Sequence, residues 1–451
     1  AGTDDYTPSI PIVADFDHFE QWIESQAKTK HFNNVKLIFS EFNVNGEALQ
    51  KLSTLAEKHQ MTLARLPKLS ELAKIGFTSL ESIDINELLG RKINQLDLIE
   101  SKSMVEHKNV LITGAGGSIG QELIKQISLL SPKHIALLDH NELALYNAKM
   151  LLQEQMAKNN QKTPHSIWLV DVCNTERVKQ VFEQEKPDLI WHAAALKHVP
   201  IAEAFPIQAI ETNLIGTHNI AENCRTYKCQ TMVLISTDKA VNPTSIMGAT
   251  KRLAESWMQA LDVATPESCF VSVRFGNVLG STGSVVPLFK RQIELGGPVT
   301  VTDNQMTRYF MSLSEAIQLV LKAAMIANIA NQKNPHLAGS LYILEMGQPI
   351  KIDALARKMI RLSGLQPDQD IKIEYTGLRA GEKLHEQLLH ENEIDGHSAS
   401  PGIIRAKPRT SDIQNLSKII DQFASACQKN DTDTAYKLLI KHVPEYQKHS
   451  A

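Results

Sequence analysis

The sequence has few cysteines and little net charge. Its five cysteines stand at scattered positions among 451 residues, and no pair has C-x-x-C spacing. This argues against a disulfide-stapled protein and against a zinc or redox site of that type. Sparse cysteine use is typical of a reduced, cytosolic protein. The formal net charge of -3 gives no electrostatic reason to expect nucleic acid as a partner. The 16 histidines show no metal-ligand spacing, so no metal site is predicted.

Long apolar runs are also missing. No segment reaches the roughly 18–20 apolar residues that span a bilayer, and the most apolar one, residues 316–330, is interrupted by Gln318, Lys322 and Asn328. A signal peptide is not recognisable, and the chain begins with Ala-Gly instead of Met. We therefore expect this part of the protein to be cytoplasmic, with any membrane anchor upstream of it.

A chain of 451 residues is expected to form two or three domains. We predict a small α/β module without a nucleotide motif at 1–83, an apolar connector at 84–108, a nucleotide-binding domain with the catalytic residues at 109–275, and a smaller, mainly substrate-binding lobe with C-terminal helices at 276–451. Within the module, the periodicity predicts helices at 18–28 and 46–60 and strands at 35–40 and 61–66.

Strand and helix patterns alternate through the block 109–275. The predicted strands lie at 110–113, 134–139, 166–171, 189–193, 231–236 and 270–274. Because such alternation is typical of βαβ units, the sequence predicts an α/β fold with a Rossmann-like, doubly wound parallel sheet.

A glycine-rich turn follows the first of these strands, with Gly114, Gly117 and Gly120 in the spacing G-x-x-G-x-x-G. Such a turn lets a pyrophosphate approach the N-terminus of the next helix. The second strand ends in Asp139, whose carboxylate suits ribose hydroxyls and repels a 2′-phosphate, which favours NAD over NADP. We assign the rest of the NAD site to the helix start, the neighbouring strand ends and one helical lysine: Ser118, Ile119, Asp171, Val172, Ala193, Ala194, Ala195 and Lys251.

The fifth strand runs into Thr237, Asp238 and Lys239. Met247 and Lys251 follow at helical spacing, where short-chain dehydrogenases have Tyr and Lys, and a thioether cannot take a proton as a phenolate does. An adjacent acid and amine suit an elimination: once C4 of a hexose is oxidised, one group removes the C5 proton and the other protonates the departing C6 hydroxyl. These residues leave open whether a water held by Thr237 or one of the charged pair accepts the C4 proton.

Longer motifs resemble a known family. The segments 114–120, HAAALKHVP at 192–200, TDKAVNPTSIMGATKR at 237–252, VRFGNVLG at 273–280 and LRAGEKLHEQL at 378–388 are similar to those of bacterial UDP-N-acetylglucosamine 4,6-dehydratases, extended short-chain dehydrogenases of surface-glycan pathways. Met247 and NELLGR at 86–91 point to the large, CapD-type branch. The resemblance covers about residues 84–445.

The resemblance implies that NAD stays bound and is recycled while C4 is oxidised, water is lost across C5 and C6, and hydride returns to C6. The product is then a UDP-4-keto-6-deoxy-N-acetylhexosamine. It also implies that Asp238 is the acid for the C6 hydroxyl and Lys239 the base at C5, that Thr237 orients the C4 hydroxyl, and that Lys251 holds the nicotinamide ribose. Homo-oligomers are expected, as is an inner-membrane anchor in the full-length protein with this part facing the cytoplasm.

The substrate's phosphates and uridine need donors. Arg308, Arg379 and Lys383 are candidates because Arg and Lys bind phosphate oxygens, and Asn277 stands where the lobe begins. The stretch around Val301 looks like the uridine-side loop of related enzymes, and Lys197 follows the alanine run. Two other readings stay open: a UDP-sugar 4-epimerase, which needs no acid–amine pair for elimination, and a non-catalytic NAD-binding regulator, which would explain the missing Tyr.

Overall fold

The structure is a computed structural model that describes residues 18–27, 36–39, 51–52, 54–56, 58–59, 61–65, 99–333, 339, 341–394, 398–409 and 411–447. The chain divides into two compact units. One consists of Ala1–Lys92, Phe289–Thr300 and Ala354–Glu374, and the other of Ile93–Leu288, Val301–Asp353 and Tyr375–Ala451. Most of the predicted connector at 84–108 lies outside the described residues, and the four predicted blocks stay a prediction.

The first unit contains a short helix and a pair of strands near the start of the chain. Helix α1 spans Phe19–Ala27, and strands β1 (Lys36–Phe39) and β2 (Thr62–Arg65) pair in parallel. These elements match the helix and the two strands predicted from periodicity. Within the predicted helix 46–60, the described residues at 51–52, 54–56 and 58 are helical. Apolar side chains from several segments form one small core, which comprises Ile23, Leu52, Leu55, Ala56, Met61 and Leu362.

The second unit is built on a large, mostly parallel sheet. The remaining strands are β3 (Asn109–Thr113), β4 (His134–Asp139), β5 (His165–Leu169), β6 (Leu189–His192), β7 (Thr231–Thr237), β8 (Cys269–Phe275), β9 (Asn277–Val278), β10 (Val299–Val301), β11 (Thr307–Arg308), β12 (Phe310–Met311), β13 (Leu341–Leu344), β14 (Ile350–Lys351), β15 (Ile373–Tyr375), β16 (Ser398–Ser400) and β17 (Ile403–Ala406). Nine of them form one sheet in the order β16-β17-β13-β8-β7-β6-β3-β4-β5. The six strands predicted from the sequence are its β3 to β8, which confirms the Rossmann-like, doubly wound prediction.

The sheet extends further than the sequence patterns indicate. Strand β13 pairs in parallel with β8, and β17 adds to it in antiparallel orientation. Both strands come from the block predicted to be a separate substrate lobe. Short apolar runs such as LYIL and IIRA carry no information about which sheet they join, so this extension was not predictable from periodicity.

Helices cover both faces of the sheet. The helices that follow α1 along the chain are α2 (Ile99–Val105), α3 (Ser118–Ser128), α4 (Glu142–Lys158), α5 (Thr175–Glu185), α6 (Val199–Ala204), α7 (Pro206–Ile210), α8 (Gly216–Thr226), α9 (Ile246–Ala264), α10 (Val285–Glu294), α11 (Leu313–Lys333), α12 (Ile352–Leu362), α13 (Ile413–Gln428) and α14 (Thr432–His442). Most of α10 and of α12 belongs to the first unit. Successive residues of a strand point to opposite faces: Leu111 belongs to one core cluster and Val110 and Ile112 to the other. Burial on both faces explains the near-continuous apolar strands.

Contrary to the expectation from the sequence, one described helix is long and apolar enough, by length and composition only, to cross a membrane: the segment Leu313–Ala330 of α11. Its residues Ala316, Ile317, Val320 and Ala324 are completely buried in the core cluster that also contains residues of β8. These four residues are thus part of the core of the second unit.

A buried ion network braces the sheet directly behind the end of β7. The Arg274 guanidinium on β8 donates to Glu255 Oε2 at 2.6 Å and to Glu393 Oε2 at 2.8 Å, and Arg274 is 0% exposed. Glu255 on α9 also accepts from the Ser236 hydroxyl at 2.6 Å. Ser236 is therefore fixed from behind by a charged group that has no access to water.

We predict that Arg274→Met destabilises the protein strongly. The substitution removes the cation that donates to both buried carboxylates and leaves them with the more distant Arg252, 4.0 Å from Glu255, and Arg409, 3.8 Å from Glu393. The free energy of unfolding should therefore fall by about 3–5 kcal/mol. Urea denaturation at neutral pH measures the change. The control is Arg225→Met, which breaks the exposed Arg225–Glu222 pair and should cost no more than about 1 kcal/mol. Equal losses in the two variants would contradict the assignment.

Candidate active site

The predicted site residues converge on one edge of the large sheet. Strands β3, β6, β7 and β8 are mutually parallel neighbours, so their carboxyl ends meet at the same edge. In doubly wound sheets this edge is where ligands bind. The glycine-rich turn follows β3, the alanine run follows β6, and the Thr-Asp-Lys segment forms the end of β7 and the turn after it.

The turn after β3 is shaped by close packing against the alanine run. Gly114 has a φ of +65°, and a Cβ added there would lie 2.6 Å from the Ala194 nitrogen. Only glycine fits this backbone and this approach. Helix α3 then begins after Gly117, and no side chain caps its first turn. The helix N-terminus therefore keeps the polarity that suits a phosphate.

Asp139 at the end of β4 connects two backbone segments. Its Oδ2 accepts a hydrogen bond from the Gly116 N–H at 2.9 Å, and its Oδ1 accepts one from the Asn141 N–H at 3.0 Å. The residue is only 7% exposed. The same carboxylate that was predicted to bind ribose thus also stabilises the glycine-rich turn.

The other predicted cofactor residues lie around this turn. Ser118 Oγ accepts from the Thr282 N–H at 3.1 Å. Asp171 is exposed and accepts from the Cys173 N–H at 2.8 Å, whereas Val172 is buried. Four further residues are half-buried: Ile119, Ala193, Ala194 and Ala195. Gly120 is buried, and a Cβ added there would collide with the Gly114 carbonyl.

A buried histidine fixes the alanine run from below. His192 Nδ1 lies 2.7 Å from Thr113 Oγ1, and its Nε2 lies 3.0 Å from Thr217 Oγ1. The Thr217 hydroxyl donates its own proton to the Asn213 carbonyl at 2.7 Å, so the proton between Nε2 and Thr217 belongs to His192. Burial, with a smaller effect of Lys251, lowers the pKa of His192 to about 3. The histidine therefore stays neutral and acts as a structural link.

The Thr-Asp-Lys segment forms a compact hydrogen-bonded group. Asp238 is 0% exposed, and its Oδ1 accepts from the Thr237 hydroxyl and from Lys239 Nζ, each at 3.0 Å. Its Oδ2 is buried and has no hydrogen-bond partner among the residues the structure describes. Buried polar atoms usually have a hydrogen-bond partner, so Oδ2 is available to accept one. A Cβ added at Gly276 would lie 3.1 Å from Oδ2.

Lys239 lies between two carboxylates. Its Nζ is 3.0 Å from Asp238 Oδ1, 3.5 Å from Glu386 Oε1 and 3.5 Å from Asn277 Oδ1. Burial alone would lower the pKa of Lys239, but the charges of Asp238 and Glu386 outweigh burial and the repulsion from Arg308, so the pKa is raised. The resting pair is therefore an ammonium beside a carboxylate.

Met247 and Lys251 occupy successive turns of α9, as the spacing predicts. Met247 is 3% exposed and packs in the apolar core. Lys251 Nζ donates to the Ile235 carbonyl of β7 at 3.1 Å. Burial lowers the pKa of Lys251 to about 8, although the nearby Glu255 opposes the shift.

Two of the predicted substrate cations, Arg308 and Lys383, donate to backbone carbonyls, whereas the other two, Arg379 and Lys197, are exposed. The Arg308 guanidinium donates to the carbonyls of Thr307, Leu384 and Lys383 at 2.7, 3.1 and 2.8 Å, and Lys383 Nζ donates to the Val241 carbonyl at 2.6 Å. Both are thus committed to backbone carbonyls. Their predicted contact with phosphate stays a prediction.

Arg379 is exposed, with its backbone N–H donating to Glu382. Lys197 is also exposed and donates to the Thr282 carbonyl at 2.7 Å. Val301 is buried at the end of β10, and its carbonyl accepts from the Thr376 N–H at 3.0 Å. Asn277 begins β9 and is half-buried beside Lys239.

Two residues of the site were missed in the sequence. Glu386 is buried and faces Lys239, Arg308 and Lys383; its only signal was its place in the segment 378–388. Asn213 lies in a π-helical turn, Glu211–Ile215, and exchanges hydrogen bonds with the backbone of Leu196 at 2.8 and 3.0 Å. Such turns often mark functional sites, but no sequence pattern predicted this one.

Comparison with known proteins places the chain in a family. Residues 110–408 match the family described as polysaccharide biosynthesis protein. The capsular polysaccharide biosynthesis protein CapD of Staphylococcus aureus is 41% identical over 380 residues, which is 84% of this chain and 61% of that protein. The chain thus spans less than two thirds of the length of that relative.

Two further proteins are similar. A UDP-N-acetylglucosamine 4,6-dehydratase (inverting) of Campylobacter jejuni is 34% identical over 293 residues, covering 64% of this chain and 80% of that protein. The crystal structure of Pen from Bacillus thuringiensis has a TM-score of 0.54 and 33% identity, and covers 64% of this chain and 85% of that one. The resemblance predicted from the motifs is confirmed, and the chain belongs to the polysaccharide biosynthesis protein family.

Proposed function

We propose that the protein is an NAD-dependent dehydratase that converts UDP-N-acetylglucosamine into a UDP-4-keto-6-deoxy-N-acetylhexosamine for surface-polysaccharide synthesis. The observation that carries the proposal is the Thr237–Asp238–Lys239 group, in which one buried carboxylate contacts both a hydroxyl and an amine. An oxidation followed by an elimination needs these three kinds of group. The similarity to a 4,6-dehydratase supports the same substrate class.

The residues around the glycine-rich turn fit NAD. Gly114 lets the backbone pass close to Ala194, the uncapped start of α3 suits a pyrophosphate, and Asp139 offers a carboxylate at the ribose position. When bound, NAD supplies the acceptor for hydride from C4 and the donor for hydride to C6. The role of Lys251 is to support the ribose from the α9 side, where its pKa of about 8 leaves it mostly charged at neutral pH.

A relay through Thr237 can replace the missing Tyr. The Thr237 hydroxyl donates to Asp238 Oδ1 at 3.0 Å. As C4 is oxidised, the C4 hydroxyl proton moves to Thr237 Oγ1 while the hydroxyl's own proton moves to Asp238. Asp238 becomes a neutral acid. Met247 then needs no acid–base role.

The elimination follows from the change at Asp238. Proton uptake by Asp238 removes one of the two carboxylates that raise the pKa of Lys239. The amine, whose side chain is 22% exposed, then releases its proton to water more readily and can take the C5 proton. Asp238 passes its proton to the C6 hydroxyl, which leaves as water. After hydride reaches C6, Lys239 returns a proton to C5. It then regains from water the proton that it released before the elimination, so protons balance over the cycle.

Exposed cations are the best candidates for the diphosphate. Arg379 and Lys197 are exposed, whereas Arg308 and Lys383 are turned towards backbone carbonyls and support the site indirectly. Asn277 beside Lys239 suits a sugar hydroxyl or a phosphate, and Val301 suits the uridine side. Homo-oligomers and a membrane anchor in a longer natural chain stay predictions from the family resemblance.

Incubation with UDP-N-acetylglucosamine in deuterated water, followed by NMR, tests the proposed reaction. We expect a 4-keto-6-deoxy product with deuterium at C5, because the C5 proton leaves during the elimination. The configuration at C5 then reports the face from which the base acts. Formation of UDP-N-acetylgalactosamine instead would identify a 4-epimerase and refute the dehydratase proposal.

Substitution of the charged pair tests its role in the same assay. Asp238→Asn and Lys239→Met should each lower turnover by roughly 100-fold or more, since positioned acid–base groups contribute about 100- to 10,000-fold. Asp421→Asn and Lys418→Met, at exposed positions of α13, are the matched controls and should retain full turnover. Unchanged turnover in the first two variants would contradict the acid–base roles assigned to Asp238 and Lys239.

Asp139→Asn tests the NAD site. The amide has one acceptor oxygen where the carboxylate has two, so one backbone N–H of the pair Gly116 and Asn141 loses its partner. We expect NAD affinity to fall by about 10- to 100-fold and the discrimination against NADP to weaken. Calorimetric titration measures both, with the exposed Asp433→Asn as control. Unaltered preference between the two nucleotides would contradict the assignment.

A further inference from the structure

Glu386 is the one buried carboxylate of the site, among the described residues, to which neither the sequence patterns nor the proposed reaction gives a role. Its side chain is 3% exposed. Three cations surround it: Lys239 Nζ at 3.5 Å from Oε1, Arg308 Nε at 3.8 Å from Oε1 and Lys383 Nζ at 3.7 Å from Oε2. Burial alone would raise the pKa of Glu386, but these three charges outweigh burial and lower it. Glu386 is therefore ionised at neutral pH.

Residues on both sides of Glu386 are hydrogen-bonded to the turn that follows Lys239. The Thr244 hydroxyl donates to the Gly381 carbonyl at 2.9 Å, Lys383 Nζ donates to the Val241 carbonyl at 2.6 Å, and the Asn242 amide donates to Gln387 at 2.8 Å. These bonds hold residues from Gly381 to Gln387, and we call the segment 381–387 the clamp segment.

The other side of the clamp segment is held by β11. Arg308 binds the carbonyls of Lys383 and Leu384, and Thr307 Oγ1 lies 2.8 Å from His385 Nδ1. The segment that carries Glu386 is thus held by two sets of bonds that do not involve Lys239. A rigidly placed anion can direct a flexible lysine side chain, whereas a mobile one cannot.

The two carboxylates beside Lys239 differ in what the proposed reaction does to them. Asp238 takes up a proton in the oxidation step and is then neutral. Glu386 does not contact Thr237 or Asp238 in any described hydrogen bond, and its three cations keep it charged. When Asp238 is neutral, Glu386 is the remaining anion that attracts Lys239.

We propose that Glu386 is a positioning residue that keeps the Lys239 amine at the end of β7 while Asp238 carries the proton taken from the sugar. The inference rests on the proposed dehydration. It implies that the clamp segment positions Lys239, the base that takes the C5 proton. Arg308 and Lys383 act through Glu386 and through the clamp backbone.

The test uses Glu386→Gln, which keeps the shape and removes the charge, and Glu386→Asp, which keeps the charge and shortens the side chain. Glu391→Gln, the same chemical change at an exposed position, is the matched control. Three quantities are measured on each folded variant: turnover of UDP-N-acetylglucosamine, the transient absorbance of reduced NAD in a single turnover, and the pH dependence of Lys239 acylation by acetic anhydride, followed by peptide mass spectrometry.

Glu386→Gln should move the midpoint of Lys239 acylation to lower pH. Asp238, Arg308 and Lys383 still face the amine, and the loss of one of its two carboxylates lowers its pKa. Turnover should fall by at least about 10-fold through misplacement of the amine, whereas C4 oxidation, seen as reduced NAD, should persist. Glu386→Asp should recover part of both effects, and Glu391→Gln should show neither.

An unmoved acylation midpoint in Glu386→Gln, or undiminished turnover, overturns the role of Glu386. Equal loss of C4 oxidation and of product also overturns it, because that result indicates a general structural effect. If Glu386→Gln does not fold, Glu386→Asp and Lys383→Met carry the same acylation measurement. Absence of a 4-keto-6-deoxy product from the unsubstituted protein refutes the proposed function, and the acylation midpoint still reports whether Glu386 controls Lys239.

Discussion

The contact of Lys239 with two buried carboxylates is the interaction on which the rest of the site depends. An amine so placed would lose its proton in an apolar cavity, and the charges of Asp238 and Glu386 prevent this. The two anions are themselves tolerable only because cations and hydrogen-bond donors face them. The members of the group therefore depend on one another, because each charge is stabilised by the opposite charges beside it.

The scaffold behind this group is unusually polar for the interior of a sheet. Arg274, Glu255 and Glu393 form ion pairs without access to water, and Ser236 is bonded to them. Elsewhere at the same edge of the sheet, His192 of β6 is hydrogen-bonded to Thr113 of β3 and to Thr217 of α8. Polar links of fixed geometry hold strand ends to tighter tolerance than apolar contacts do, and catalysis at those ends depends on such tolerance.

The sequence predicted those parts of the fold that short-range patterns of residues determine. Apolar runs that alternate with helical patterns predicted β3 to β8, the glycine spacing predicted the turn after β3, and the pair Asp238–Lys239 stood out as chemically unusual. Periodicity could not assign β13 and β17 to the same sheet, because a short apolar run does not specify its neighbour. Periodicity also could not indicate that the Arg308 guanidinium donates to backbone carbonyls brought close by the fold, and its predicted contact with phosphate stays a prediction. Glu386 was missed for the same reason: its significance lies in its neighbours in space.

The bonds between the clamp segment and the turn after Lys239 join parts of the chain that are far apart in sequence. Lys383 and Val241 are separated by 142 residues, and Thr244 and Gly381 by 137. During synthesis from the N-terminus, β3 to β8 and the glycine-rich turn leave the ribosome long before Glu386 does. A partly made chain can therefore assemble the nucleotide-binding half while its lysine still lacks one of its two anionic partners. The surroundings of Lys239 are thus completed only by residues from late in the chain.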